Sequence, residues 1–84
     1  MVEKVKELTV YGATWCPDAK RTRKFLDTNN INYTWFDVDQ DPKNKEFVIK
    51  ANGRFVIPTV IFEDGTILTE PTDEELAQKL KSFK

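Results

Sequence analysis

The sequence has 84 residues and a mass of 9.8 kDa, with 39% apolar and 32% charged residues; this suits one small domain over residues 1–84 and excludes a disordered or fibrous chain. Thirteen Lys and Arg against fourteen Asp and Glu leave a net charge of −1, which gives no electrostatic basis for binding nucleic acid or an anionic membrane. The absence of histidine and the presence of one cysteine exclude imidazole bases, Ser-His triads, His-ligated zinc, Cys-rich metal sites and internal disulfides.

The polar start, Met-Val-Glu-Lys-Val-Lys-Glu, lacks an apolar signal segment, and no apolar run approaches ~18 residues. The expectation is a cytoplasmic, reducing setting. Residues 6–11 read as a strand, with Leu8 and Val10 alternating with polar neighbours. Residues 12–15 form a loop, and Pro17 sits where a first helical residue belongs, because its missing N–H costs nothing there. A helix follows over 18–29, with Ala19, Thr22, Phe25 and Leu26 on one face. Residues 32–38, rich in Tyr, Trp, Phe and Val, form a second strand. Asp41-Pro42 is a cap followed by a first-turn proline; the helix behind it runs to about Ala51, with Phe47, Val48 and Ala51 inward, and Asn52-Gly53 closes it.

Residues 56–62 are apolar and interrupted by Pro58, which therefore belongs at a strand start, a bulge or a cis bond. Asp64-Gly65 turns the chain into a short strand over 66–69, making a hairpin. Thr72-Asp73-Glu74-Glu75 is a capping box, opening a helix that places Leu76, Leu80 and Phe83 on one side. The order is βαβαββα: the first two strands parallel, the last two antiparallel, in a small mixed α/β sheet flanked by helices. Asp37, Asp39 and Asp41 read as a solvated turn rather than a cation site, and no metal centre is expected.

Cys16 lies at a helix start, where free N–H groups and the positive end of the helix dipole face the sulfur. Lys20 and Arg21 add positive charge, and Asp18 opposes it. These groups favour thiolate over thiol, and thiolate is the species that attacks disulfides. The bland reading is a buried, inert cysteine, but such a residue needs neither the proline after it nor the helix start. Were the Ile57–Pro58 bond cis, the Ile57 N–H and C=O would turn outward to pair with an extended ligand.

Trp15-Cys16-Pro17-Asp18-Ala19 after a strand, with Ile57-Pro58-Thr59-Val60 about forty residues on, resembles the glutaredoxins of the thioredoxin fold. The resemblance covers nearly the whole chain. The stretch from Ile57 through Thr66 to Glu70-Pro71-Thr72 is most similar to bacterial glutaredoxin-like proteins of the mycoredoxin type. The resemblance implies a nucleophilic Cys16 facing a cis-Pro58. It also implies a groove for a low-molecular-weight thiol, glutathione or mycothiol-like, as co-substrate, with no bound cofactor. Tyr11, Trp15, Lys20, Ile57, Pro58, Thr59, Thr72 and Asp73 are the groove candidates, and Cys16, Pro17 and Ala19 the catalytic positions.

Three features depart from the family pattern. Ala19 occupies the place of the second, resolving cysteine, so the chain reads as an engineered Cys-to-Ala form of a Cys-Pro-Asp-Cys enzyme. Ala13 stands where glutathione-using members often carry Lys. The glycine pair such members have before the last helix is replaced by Leu68-Thr69-Glu70-Pro71-Thr72-Asp73, whose helix start still offers N–H groups to a carboxylate. The expected function is thiol–disulfide exchange by a monomer on protein mixed disulfides. Two alternatives compete with it: a single-thiol iron–sulfur carrier, and a dedicated electron donor to a reductase such as ribonucleotide reductase.

Overall fold

The computed structural model describes residues 8–81. The elements are β1 (Leu8–Gly12), α1 (Pro17–Thr28), β2 (Thr34–Asp37), α2 (Pro42–Asn52), β3 (Thr59–Phe62), β4 (Ile67–Thr69) and α3 (Asp73–Lys81). They form one four-stranded sheet in the order β2-β1-β3-β4. β1 and β2 run parallel, Val10 beside Trp35, while β3 is antiparallel to both β1 and β4. This is the mixed α/β arrangement expected from the element order.

Side-chain alternation assigns the two faces of the sheet. Leu8 and Val10 face the same way as their partners Phe62 and Val60. With Leu26 of α1 and Leu76 of α3 they make the main core, so α1 and α3 share that face. Leu26 and Leu76 are fully buried, each contributing roughly 1.5–3 kcal/mol. That burial also carries a polar cost, since Thr22 Oγ1 is buried without a hydrogen-bond partner among the described residues. On the opposite face, Tyr11 stacks between Phe36 and Phe47 of α2, with centroids 5.0 and 4.8 Å away.

Local chemistry explains most element ends. Asp41 Oδ1 accepts from the Lys43 N–H at the start of α2, and Gly53 ends that helix at φ 78, a left-handed conformation glycine adopts without penalty. At α3, Thr72 Oγ1 accepts from the Glu75 N–H and Glu75 Oε1 accepts from the Thr72 N–H, completing the capping box.

Several boundaries depart from the sequence expectation. Residues 6 and 7 of the first expected strand, and Phe83 of the last helix, lie outside the described residues. β2 is shorter than expected, and β4 begins one residue later. β3 starts at Thr59 rather than at 56, because Pro58 has no N–H to give a ladder; residues 56–58 are buried but not in a strand. Phe47, expected inward, covers Tyr11 with one ring face and leaves the other to solvent.

The β3–β4 hairpin carries a pH-sensitive tie. Lys79 Nζ donates to Asp64 Oδ2 at 2.7 Å, and the Thr66 N–H donates to Asp64 Oδ1. The hydrogen bond from Lys79, then those from Thr66, lower the Asp64 carboxyl from 3.8 to about 2. A lowered folded-state value means the stabilisation is present above pH ~4 and is lost as pH falls through ~2. Asp64→Asn should therefore lower the denaturation midpoint at pH 5, with the difference from wild type shrinking as pH falls toward 2 and vanishing below it. Added salt should shrink the pH 5 difference.

Candidate active site

The loop after β1 delivers Cys16 to the start of α1. The Cys16 N–H bonds the Ala13 carbonyl (3.2 Å), closing a turn, and the Val38 N–H bonds the Gly12 carbonyl (2.9 Å), holding the loop against the end of β2. Cys16 is the N-cap of α1, with extended backbone and no side-chain capping bond; Pro17 is its first helical residue. The sulfur-bearing residue keeps 8% of its surface exposed. It packs in a cluster with Ala13, Ala19, Val38, Val48 and Ile57, against which Tyr11 and Trp35 also lie. Ala13 is fully buried there, so a long cationic side chain at that position would have no room in this packing.

Ala19 is the third residue of α1 and fully buried. A side chain on Gly12 would place its Cβ 3.0 Å from the Ala19 Cβ and 2.8 Å from the Trp35 ring, so glycine at 12 is what lets α1 and Trp35 close on the loop.

The Ile57–Pro58 bond is cis. Pro58 is fully buried, and its carbonyl accepts from the Glu70 N–H at 2.8 Å; Glu70 adopts the left-handed φ of 48. Ile57 buries its side chain in the cysteine cluster. Among the described residues its backbone N–H and C=O take no hydrogen-bond partner. The structure thus brings Tyr11, Cys16, Ala19 and Ile57 together, with Pro17, Pro58 and Thr59 beside them in the chain.

Trp15 is 61% exposed and its Nε1 donates to Asp39 Oδ2 at 2.7 Å. Asp39 thus has a role the sequence did not suggest; nothing local links it to a residue 24 positions away. Burial pushes the Tyr11 phenol above its ordinary 10.0, so it stays neutral between its two aromatic neighbours.

Among the cations, Lys20 is exposed beside the loop. Arg21, expected to add charge near the sulfur, does otherwise. It donates to Asp73 Oδ1 at 3.1 Å and to the Pro71 carbonyl at 3.2 Å, with Asp18 at 3.8 Å. Five residues beyond Cys16, its guanidinium is committed to the start of α3. Arg23 lies over the Trp35 ring at 4.1 Å and donates to Tyr33. At α3, Thr72 is committed to the capping box and the Asp73 carboxylate to Arg21. That end of the site is therefore built from an ion pair and not from an open pair of side chains. Among the described residues, no cluster of three potential metal ligands exists.

The glutaredoxin family profile matches residues 8–67. A glutaredoxin-type protein of Mycobacterium tuberculosis is 38% identical over 74 residues, 87% of this chain and 88% of its own. Mycoredoxin 1 of Corynebacterium glutamicum is 35% identical over 80 residues, 94% of this chain and 99% of its own. Among solved structures, a mutant of the thioredoxin-like protein BC3987 superposes with a TM-score of 0.78 at 30% identity, covering 87% of this chain and 97% of that one. A cysteine at a helix start, a cis bond after the Ile57 that packs in its cluster and this kinship over most of the chain agree: the protein belongs to the glutaredoxin family, redox proteins of thioredoxin-like fold.

Proposed function

We propose that Cys16 is the nucleophile of a thiol–disulfide oxidoreductase that removes low-molecular-weight thiols from protein mixed disulfides. The observation that carries this reading is the convergence of Cys16, at the N-terminus of α1, with the unpartnered backbone of Ile57 in one cluster. The N–H groups of the first helical turn favour negative charge at the cap, and the Ile57 groups can pair with an extended thiol adduct.

The route follows from the sulfur count. Cys16 thiolate attacks the small-thiol sulfur of the mixed disulfide; that S–S bond breaks and the protein thiolate leaves and takes up a proton. A second small thiol, as thiolate, attacks the adduct, forming the small-thiol disulfide and freeing Cys16. The electron pair comes from the small thiol. Ala19 contributes no sulfur, so the route is monothiol. Kinship with a mycoredoxin supports a mycothiol-type thiol beside glutathione as the co-substrate. Trp15, exposed beside the sulfur, supplies a flat wall for the substrate, and Lys20 a cation for its carboxylates. The catalytic unit we propose is a monomer in the cytoplasm.

The test is mass spectrometry after mixing the reduced protein with a peptide carrying each small thiol in disulfide linkage. One adduct per chain, mapped to Cys16, with release of the peptide thiol, is expected. Peptide release without an adduct on Cys16, or no reaction with any of them, would overturn the proposal.

A further inference from the structure

Ile57 presents its backbone from a segment outside any strand, so something else must hold it. Three side chains form a directed relay that ends beside it. The Thr69 hydroxyl donates to Asn52 Oδ1 at 2.8 Å. Asn52 Nδ2 donates to Thr59 Oγ1 at 3.0 Å, and to the Val48 carbonyl at 3.1 Å. The Thr59 hydroxyl then donates to the Val56 carbonyl at 2.8 Å. The relay links β4, the last residue of α2 and β3, and Thr59 within it is fully buried.

The residues on both sides of Ile57 are thereby pinned by their carbonyls. The Val56 carbonyl is held by Thr59, and the Pro58 carbonyl by the Glu70 N–H. Between them, the Ile57 N–H and C=O are left unpaired among the described residues. A hydrogen-bond network holds its geometry most firmly where it is buried, here at Thr59, and Asn52 is the member that ties Thr59 to Thr69.

From this we infer that Asn52 is a positioning residue for the substrate edge at Ile57, acting through Thr59 and Val56. The inference rests on the proposed exchange reaction at Cys16 and adds to it a determinant of substrate docking distant from the sulfur. Asn52 does not touch the reacting atoms; it sets where the docking groups stand. Its loss should weaken binding of the mixed disulfide and spare the chemistry of the sulfur.

The variants are Asn52→Ala and the milder Thr69→Val, which removes only the outermost bond from an exposed residue. Asn52→Ala should raise KM for a peptide mixed disulfide about fivefold, the equivalent of one net hydrogen bond, with kcat unchanged. Alkylation of Cys16 by iodoacetamide, which needs no docking edge, should proceed at the wild-type rate. Thr69→Val should move KM in the same direction by less. In a Thr59→Val background, Asn52→Ala should add little, because the link it acts through is already cut. An unchanged KM in Asn52→Ala, with wild type active, overturns this inference alone, as does a parallel fall in kcat and alkylation rate. A wild type that turns over no mixed disulfide overturns the exchange reading and this inference with it.

Discussion

Cys16→Ser should lower turnover of protein mixed disulfides by ~10³-fold or more while leaving the fold at least as stable. The two effects have opposite signs for separate physical reasons. A serine hydroxyl is scarcely ionised near neutral pH, and its oxygen cannot carry the small thiol as a disulfide, so both halves of the exchange are lost. At the same position serine is a preferred N-cap, because its oxygen can accept from the second or third helical N–H. Cys16 makes no such capping bond, so the substitution should stabilise α1 by about 0.5–1 kcal/mol. Steady-state kinetics and thermal unfolding on one preparation check both. Inactivity accompanied by a raised melting temperature separates lost chemistry from lost structure. Turnover within tenfold of wild type would show that the sulfur is not the reacting atom.

The same local rules explain why so much of the architecture is legible in the sequence. The Thr72–Glu75 box, Asp41-Pro42, the left-handed Gly53 and the Asp64-Gly65 turn each act within four residues, and each is found where the pattern puts it. Cys16 at a helix start belongs to the same class of signal, whereas the local pattern left Pro58 at a strand start, a bulge or a cis bond, and only the family resemblance implied the cis form that is found. What stays hidden depends on contacts distant in the chain. Arg21 reads by sequence as a cation beside the sulfur, yet its guanidinium is committed to Asp73 and Pro71, about fifty residues away. Asn52 reads as a helix terminator, and its bonds to Thr59 and Thr69 need the assembled β3–β4 pair. Asp39 looks like one of three solvated acids until Trp15 is folded onto it. In each case the hidden part is a polar side chain whose partner is set by the assembled fold and not by its neighbours in the chain.

On the proposed exchange route, Ala19→Cys should give a protein that completes reduction of protein disulfides. In the present chain, attack by Cys16 on a disulfide within a protein yields a covalent Cys16–substrate complex. Nothing on the chain can break it, and only an external thiol releases it. Residue 19 is the third residue of the helix that Cys16 caps, and an N-cap side chain reaches back to that residue's backbone, so the two side chains are neighbours. Helical side chains also lean toward the N-terminus, which aims a sulfur at position 19 toward Cys16. The introduced thiolate would attack Cys16 Sγ, form an internal disulfide and expel the substrate thiol. An oriented intramolecular thiol far outcompetes a free one, so release of the trapped complex should quicken by at least ~10²-fold at low external thiol. Non-reducing electrophoresis reads the outcome: a persistent covalent complex with the present chain, and rapid loss of that band with Ala19→Cys. Persistence of the complex in both would mean that the α1 start does not hold positions 16 and 19 within disulfide reach, and the monothiol limit would then lie in the backbone and not in the missing sulfur.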